Sequence, residues 1–132
     1  MGRLAERLNR AGNTIEAVRV LSGHLNKVLL GASAGLAVPE TLLDDASRYA
    51  IELFGWTYNA AWLDYLVELH LTAQRLPSEA SLSALESALG TPSGMRFDSE
   101  LLRYFVESLE TLRSRMNLSE EARLLRLHRL SA

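Results

Sequence analysis

Leucine fills 27 of the 132 positions, while valine and isoleucine together fill only 8. Leucine loses little rotamer freedom in a helix, whereas β-branched side chains suit the pleated surface of a sheet. A chain with this ratio has too few strand formers for a sheet and many residues that can seam helices together. The expected fold class is therefore all-α. One domain covering 1–132 is expected, a bundle of five to six helices, because a chain of this length can bury roughly two thirds of its unfolded surface in one core. Apolar residues at 48% and charged residues at 23% fit a globular chain rather than a disordered one.

Cysteine is absent. That excludes disulfides, thiolate metal sites and a cysteine nucleophile. The longest stretch without a charge is 28–39, and Gly31, Ser33 and Gly35 interrupt it. Spanning a bilayer takes about 20 apolar residues, so no membrane span is expected. The first residues carry Arg3, Glu6, Arg7 and Arg10 with no short apolar run, unlike a secretory signal. A cytoplasmic location is the resulting expectation.

Periodicity predicts helices over approximately 3–30, 40–54, 57–76, 79–89, 99–116 and 119–130. In the first, Leu4, Leu8, Ala11, Ile15, Val18, Ser22, Leu25 and Leu29 follow a 4–3 spacing that makes a single stripe. Asn13 and Glu16 can form a capping box, so that helix can restart there. Gly55 is expected to end or bend the second helix. The third is apolar on most sides, which marks it as central. Gly90 should stop the fourth helix and Asn117 the fifth, and Ser119 with Glu120 and Glu121 should start the last.

Charge is unevenly distributed. Residues 1–30 hold five cations and two acids, 31–112 four cations and twelve acids, and 113–132 five cations and two acids, for net charges of +3, −8 and +3. The basic ends either pack against the acidic middle or share one basic face. The acidic middle and a pI near 5.9 argue against an extended phosphate-binding surface, so no nucleic-acid partner is expected.

Four constellations could carry chemistry. Gly31-Ala32-Ser33-Ala34-Gly35 matches G-x-S-x-G, but a nucleophile elbow needs a strand before the serine, and the preceding pattern is helical. Glu107 and Glu110 form E-x-x-E, but no second acidic pair accompanies them to hold a hard cation. His70 lies in register with Leu63, Leu66 and Ala73 on an apolar stripe. It is either a core histidine with one hydrogen-bond partner or the axial ligand of a haem or other apolar cofactor. Arg19 with His24, and Arg123 with His128, are both R-x4-H.

That last spacing resembles the R-x4-6-H signature of HEPN-type ribonucleases, small helical bundles whose site forms between two copies. The likeness spans six residues at a time. The residues after the arginines are Val20 and Leu124, where that family commonly has a polar residue. The resemblance implies His128 as acid or base toward a 2′-hydroxyl and Arg123 as stabiliser of phosphate charge. The plainer account makes Arg123, Arg126 and Arg129 the solvated face of the last helix, complementing its dipole.

Six of the nine aromatic residues fall between Tyr49 and Tyr65. Trp62 and Tyr65 face differently from Leu63 and Leu66, so both sides of that helix call for burial. Trp and Tyr are enriched as interface anchors. The functional expectation is a non-enzymatic protein–protein interaction module: an adaptor, regulator or small subunit of a larger assembly, self-associating or bound to another protein. Trp62, Tyr65, Trp56, Tyr58 and Leu69 are the expected partner-binding residues. Leu4, Leu8, Ile15, Val18, Leu25 and Leu29 are the expected self-association seam. No cofactor and no metal enter this reading. The alternatives are a metal-independent HEPN-like ribonuclease dimer using Arg123 and His128, and a haem or other cofactor binder using His70.

Overall fold

In the computed structural model, residues 4–7 and 12–132 are described. Six α-helices follow one another: α1 (Thr14–Ser33), α2 (Glu40–Thr57), α3 (Ala61–Ala73), α4 (Glu79–Leu89), α5 (Ser99–Glu110) and α6 (Leu118–Ser131). Short 3-10 turns stand at Gly94–Arg96 and Arg113–Arg115, and residues 4–7 make a helical turn. Among the described residues there is no strand, and no helix is long and apolar enough to cross a membrane.

The apolar α3 is the hub. It buries Leu63, Tyr65, Leu66, Val67, Leu69 and His70 against α1, α2 and α5. The outer helices present narrower stripes, as half-solvated helices do. On α5 the stripe is Leu102, Phe105, Val106 and Leu109. Leu124 and Leu127 of α6 close the core. Polar contacts direct that docking: Arg126 reaches Glu79, Ser83 and Glu86 of α4, and Arg123 donates to the Pro77 carbonyl at 2.6 Å. The last helix therefore does not turn its arginines uniformly to water, as expected from sequence. Arg123 and Arg126 are half-buried against the α3–α4 connection and α4, while Arg129 stays exposed.

Several boundaries differ from the periodic expectation, each for a local reason. The first helix does not run unbroken from 3 to 30. Gly12 sits at φ +84°, and Asn13 caps α1 by accepting from the Glu16 amide at 3.3 Å. The buried residues of α1 are Ala17, Leu21, Leu25 and Ala32; of the stripe projected forward from Leu4, Leu25 is kept, while Val18 and Leu29 are only half-buried against the core. Gly55 lies inside α2, which continues to Thr57 and closes when Tyr58, at φ 53°, donates to the Phe54 carbonyl. That shift delays α3 to Ala61. At its other end α3 stops early because Gln74 adopts φ 54°.

α5 ends at Glu110 rather than 116, and the chain tightens into the second 3-10 turn. Asn117 starts a helix instead of stopping one. Its side chain accepts from the Glu120 amide while the Glu120 carboxylate accepts from the Asn117 amide, a complete capping box. The fourth helix matches its expected span, with Ser78 accepting from the Ser81 amide and Gly90 at its end.

Two glycines provide a test of this packing. A Cβ on Gly94 would stand 1.8 Å from the Ala88 carbonyl oxygen, whereas one on Gly23, inside α1, would meet nothing within 4 Å. Gly94→Ala should lower the unfolding free energy by about 1–3 kcal/mol through overpacking. Gly23→Ala should raise it by about 0.5–1 kcal/mol through helix propensity. Urea denaturation of both variants measures the two effects.

Candidate functional site

The connection between α1 and α2 is short, and the His24 ring meets the Tyr49 ring edge-on with centroids 6.4 Å apart. The two helices therefore run antiparallel. Stepping back along α1 from 24 to 15 and forward along α2 from 49 to 58 covers about 13 Å in each. Ile15 and Tyr58 consequently reach the same end of the bundle. Trp62 is there too, in the first turn of α3.

Two large apolar side chains stand exposed at this end. Ile15 is 86% exposed and Tyr58 73% exposed. Trp56 and Trp62 are half-buried and pack against the core, with Trp62 meeting Tyr65 in a T-shaped contact at 6.0 Å. From Gly55 to Leu63 the sequence GWTYNAAWL carries no charge. Tyr58 is held in the left-handed region, uncommon for a bulky residue. Asn59 and Thr57 stabilise the turn: the Asn59 amide donates to Thr57 Oγ1, and the Ala61 amide to Asn59 Oδ1.

The expected partner-binding residues thus divide. Tyr58 is the exposed one, while Trp56 and Trp62 are half-buried and pack against the core. Leu69 is fully buried, and Tyr65 is 7% exposed with its hydroxyl donating to the Leu25 carbonyl at 2.6 Å. Burial pushes the Tyr65 phenol well above its ordinary range. Both side chains serve the chain's own core. The expected self-association seam divides similarly. Leu25 is fully buried, Val18 and Leu29 are half-buried against the core, Leu4 is half-exposed, and Ile15 stands out into solvent. Leu8 lies outside the described residues.

The remaining candidates sit apart from this end. Arg123 engages the Pro77 carbonyl, whereas the His128 Nε2–H donates to Glu110 of α5. Within one copy, the two residues of the R-x4-H pair are thus directed to different elements. The hydrogen bond from His128, with help from Arg113, holds the Glu110 carboxyl below its usual range. Ser33 is the last residue of α1, so its G-x-S-x-G stretch follows a helix. Among the described residues no group of three His, Asp or Glu side chains is placed to hold a metal ion.

His70 is fully buried. Its Nδ1 lies 2.8 Å from the Leu66 carbonyl, which can only accept, so Nδ1 carries the proton. Nε2 is buried without a partner, and the ring tilts against Phe105 at 6.4 Å. A haem would need open volume beside Nε2, where the ring is instead enclosed by packed side chains. His24 and Glu107 join no constellation with these groups.

Contacts of Arg126 with Glu79 and Glu86 join residues 47 and 40 positions apart, and no spacing rule announces them. No family model, curated protein or solved structure matches the chain.

Burial pushes the His70 pKa below its ordinary value of 6.5. The unfolded chain therefore takes up a proton there at a pH where the folded chain does not. The stability linked to this ring is complete above 6.5 and declines as pH falls toward the folded value, by at most about 1.4 kcal/mol per unit. Urea denaturation between about pH 7.5 and about pH 5.5 should show that decline, and His70→Gln should flatten it.

Proposed function

We propose that the chain is a protein–protein interaction module, an adaptor, regulator or small subunit of a larger assembly. It docks a second copy or another protein through the end formed by the start of α1 and the α2–α3 connection. The observation that carries this reading is that Ile15 and Tyr58, two large apolar side chains, are both exposed at one end of the bundle, the end that also holds half-buried Trp56 and Trp62. Burying such side chains against a partner releases roughly 25 cal/mol for each Å² of apolar surface removed from water. The uncharged run from Gly55 to Leu63 fits the depletion of charge at interface centres. Tyr58 brings ring area at little entropic cost, and its backbone is already fixed by the turn.

The decisive measurement compares the native chain with Tyr58→Ser and Ile15→Ser by native mass spectrometry and sedimentation, with circular dichroism as the control for folding. The native chain should assemble with itself or in a fixed stoichiometry with a partner. Each variant should weaken that assembly by about tenfold or more while remaining helical. Unchanged assembly in both variants would show that this end is not the docking surface.

A further inference from the structure

About 27 Å along α2 from the aromatic end, where α2 begins, the bundle opens into a cavity of about 400 Å³. Its walls come from four separate segments: the first turns of α2, the α3–α4 connection, the second 3-10 turn, and α6. Its floor is apolar, with Leu43 and Leu109 almost fully buried beneath it. Half-buried Leu76, Leu112 and Met116 continue that floor toward the rim.

The charges around this floor are sorted by wall. Glu40 and Asp44 are one helical turn apart and line the α2 side. Arg75 follows the left-handed Gln74 on the α3–α4 connection, and Arg115 belongs to the second 3-10 turn. The two other charged lining residues are already engaged: Arg123 with the Pro77 carbonyl and Glu120 in the α6 capping box. By contrast, Glu40, Asp44, Arg75 and Arg115 make no salt bridge or side-chain hydrogen bond among the described residues. Two carboxylates and two guanidiniums thus share one cavity without neutralising each other.

We propose that this cavity binds a small zwitterion with an apolar body. Its ammonium group is taken by Glu40 and Asp44, its carboxylate by Arg115 and Arg75, and its side chain by the Leu43–Leu109 floor. A guanidinium forms paired, charge-assisted hydrogen bonds with a carboxylate. An ammonium group supplies three donors to the opposite acids. The volume lies in the range of small-molecule sites, which combine an apolar lining with a few placed polar groups. Free apolar amino acids and short apolar peptides share this chemistry and differ in the separation of their two charges. The site is distinct from the aromatic end, and neither proposal rests on the other.

Titration calorimetry on the full chain tests this with four probes: leucine, the dipeptide Leu-Leu, N-acetyl-Leu-Leu and Leu-Leu-amide. Either leucine or Leu-Leu should bind saturably, and the tighter of the two reports the charge separation. If the dipeptide is tighter, each cap should weaken binding by about tenfold or more. If leucine is tighter, N-acetyl-leucine and leucine-amide replace the capped dipeptides. Arg115→Gln should weaken the free ligand and abolish the penalty of amidation. Asp44→Asn should weaken it and abolish the penalty of acetylation. Neither side chain makes a salt bridge or side-chain hydrogen bond among the described residues, so both variants should keep the helical spectrum of the parent. The proposal is overturned by absence of saturable binding of both free probes, by indifference to both caps, by loss on only one cap, or by variants that bind like the parent.

Discussion

The structure depends on burying one helix from nearly every side. α3 turns Leu63, Leu66, Val67 and Leu69 into the core along with two polar side chains, Tyr65 and His70. A buried polar group without a partner costs about 1–3 kcal/mol, so a central helix tolerates such residues only where bonds await them. Tyr65 finds the Leu25 carbonyl of α1 at 2.6 Å, which fixes α1 and α3 in register. His70 bonds back to Leu66 within its own helix, leaving Nε2 unpaired. One polar group thus ties two helices together, while the other is carried inside a single helix. Asp64, at the opening of α3, accepts from the Asp98 amide at 2.7 Å and anchors the start of α5. The neighbours of α3 are thereby placed by bonds as well as by area.

The fold class and the identity of the hub are legible in the sequence because both rest on composition summed over many residues. The fourth helix is legible to the residue because Ser78 supplies conventional start chemistry and Gly90, a poor helix former, stands at its end. Ends made by unconventional residues are not. Tyr58 and Gln74 close α2 and α3 in the left-handed region, a role that sequence reading assigns to glycine. Gly55, the residue with that propensity, passes through α2 without effect. The stripe of α1 is misjudged for a different reason. Periodicity is a phase argument, and the 3.5-residue spacing used for it meets the buried set of α1 at Leu25 but drifts off it toward Ile15. The aromatic cluster was visible as a cluster, but its division into core Tyr65 and exposed Tyr58 depends on where α2 stops.

The uneven charge along the chain resolves at its C-terminal end as docking on the acidic middle. Arg126 meets Glu79 and Glu86, and His128 and Arg113 meet Glu110. Exposed ion pairs individually contribute little. A guanidinium set between two carboxylates and a serine nevertheless selects one seat for α6 among several that Leu124 and Leu127 would accept. Nearer the N-terminus, Arg19 pairs with Glu16 inside its own helix. Near the 4–7 turn, burial and the charge of Glu6 push the Glu52 carboxyl upward. Ala5 of that turn is fully enclosed in the core.

The two left-handed residues bracket α3, and each stands next to a feature not explained by the core. A strained conformation persists only when its surroundings over-determine it. At Gln74 the surroundings are its own amide, which donates to Leu71 O at 2.7 Å and bonds Ser108 of α5. At Tyr58 they are the Phe54 carbonyl and the Asn59 turn. These bonds let α3 reverse sharply at both ends without glycine. One reversal leaves the Tyr58 ring in solvent, and the other carries Arg75 to the rim of the charged cavity. A glycine at either position would relieve the backbone and end the helix equally well. At 58 it would also delete the exposed ring, and at 74 it would delete the side chain that joins the α3 terminus to α5.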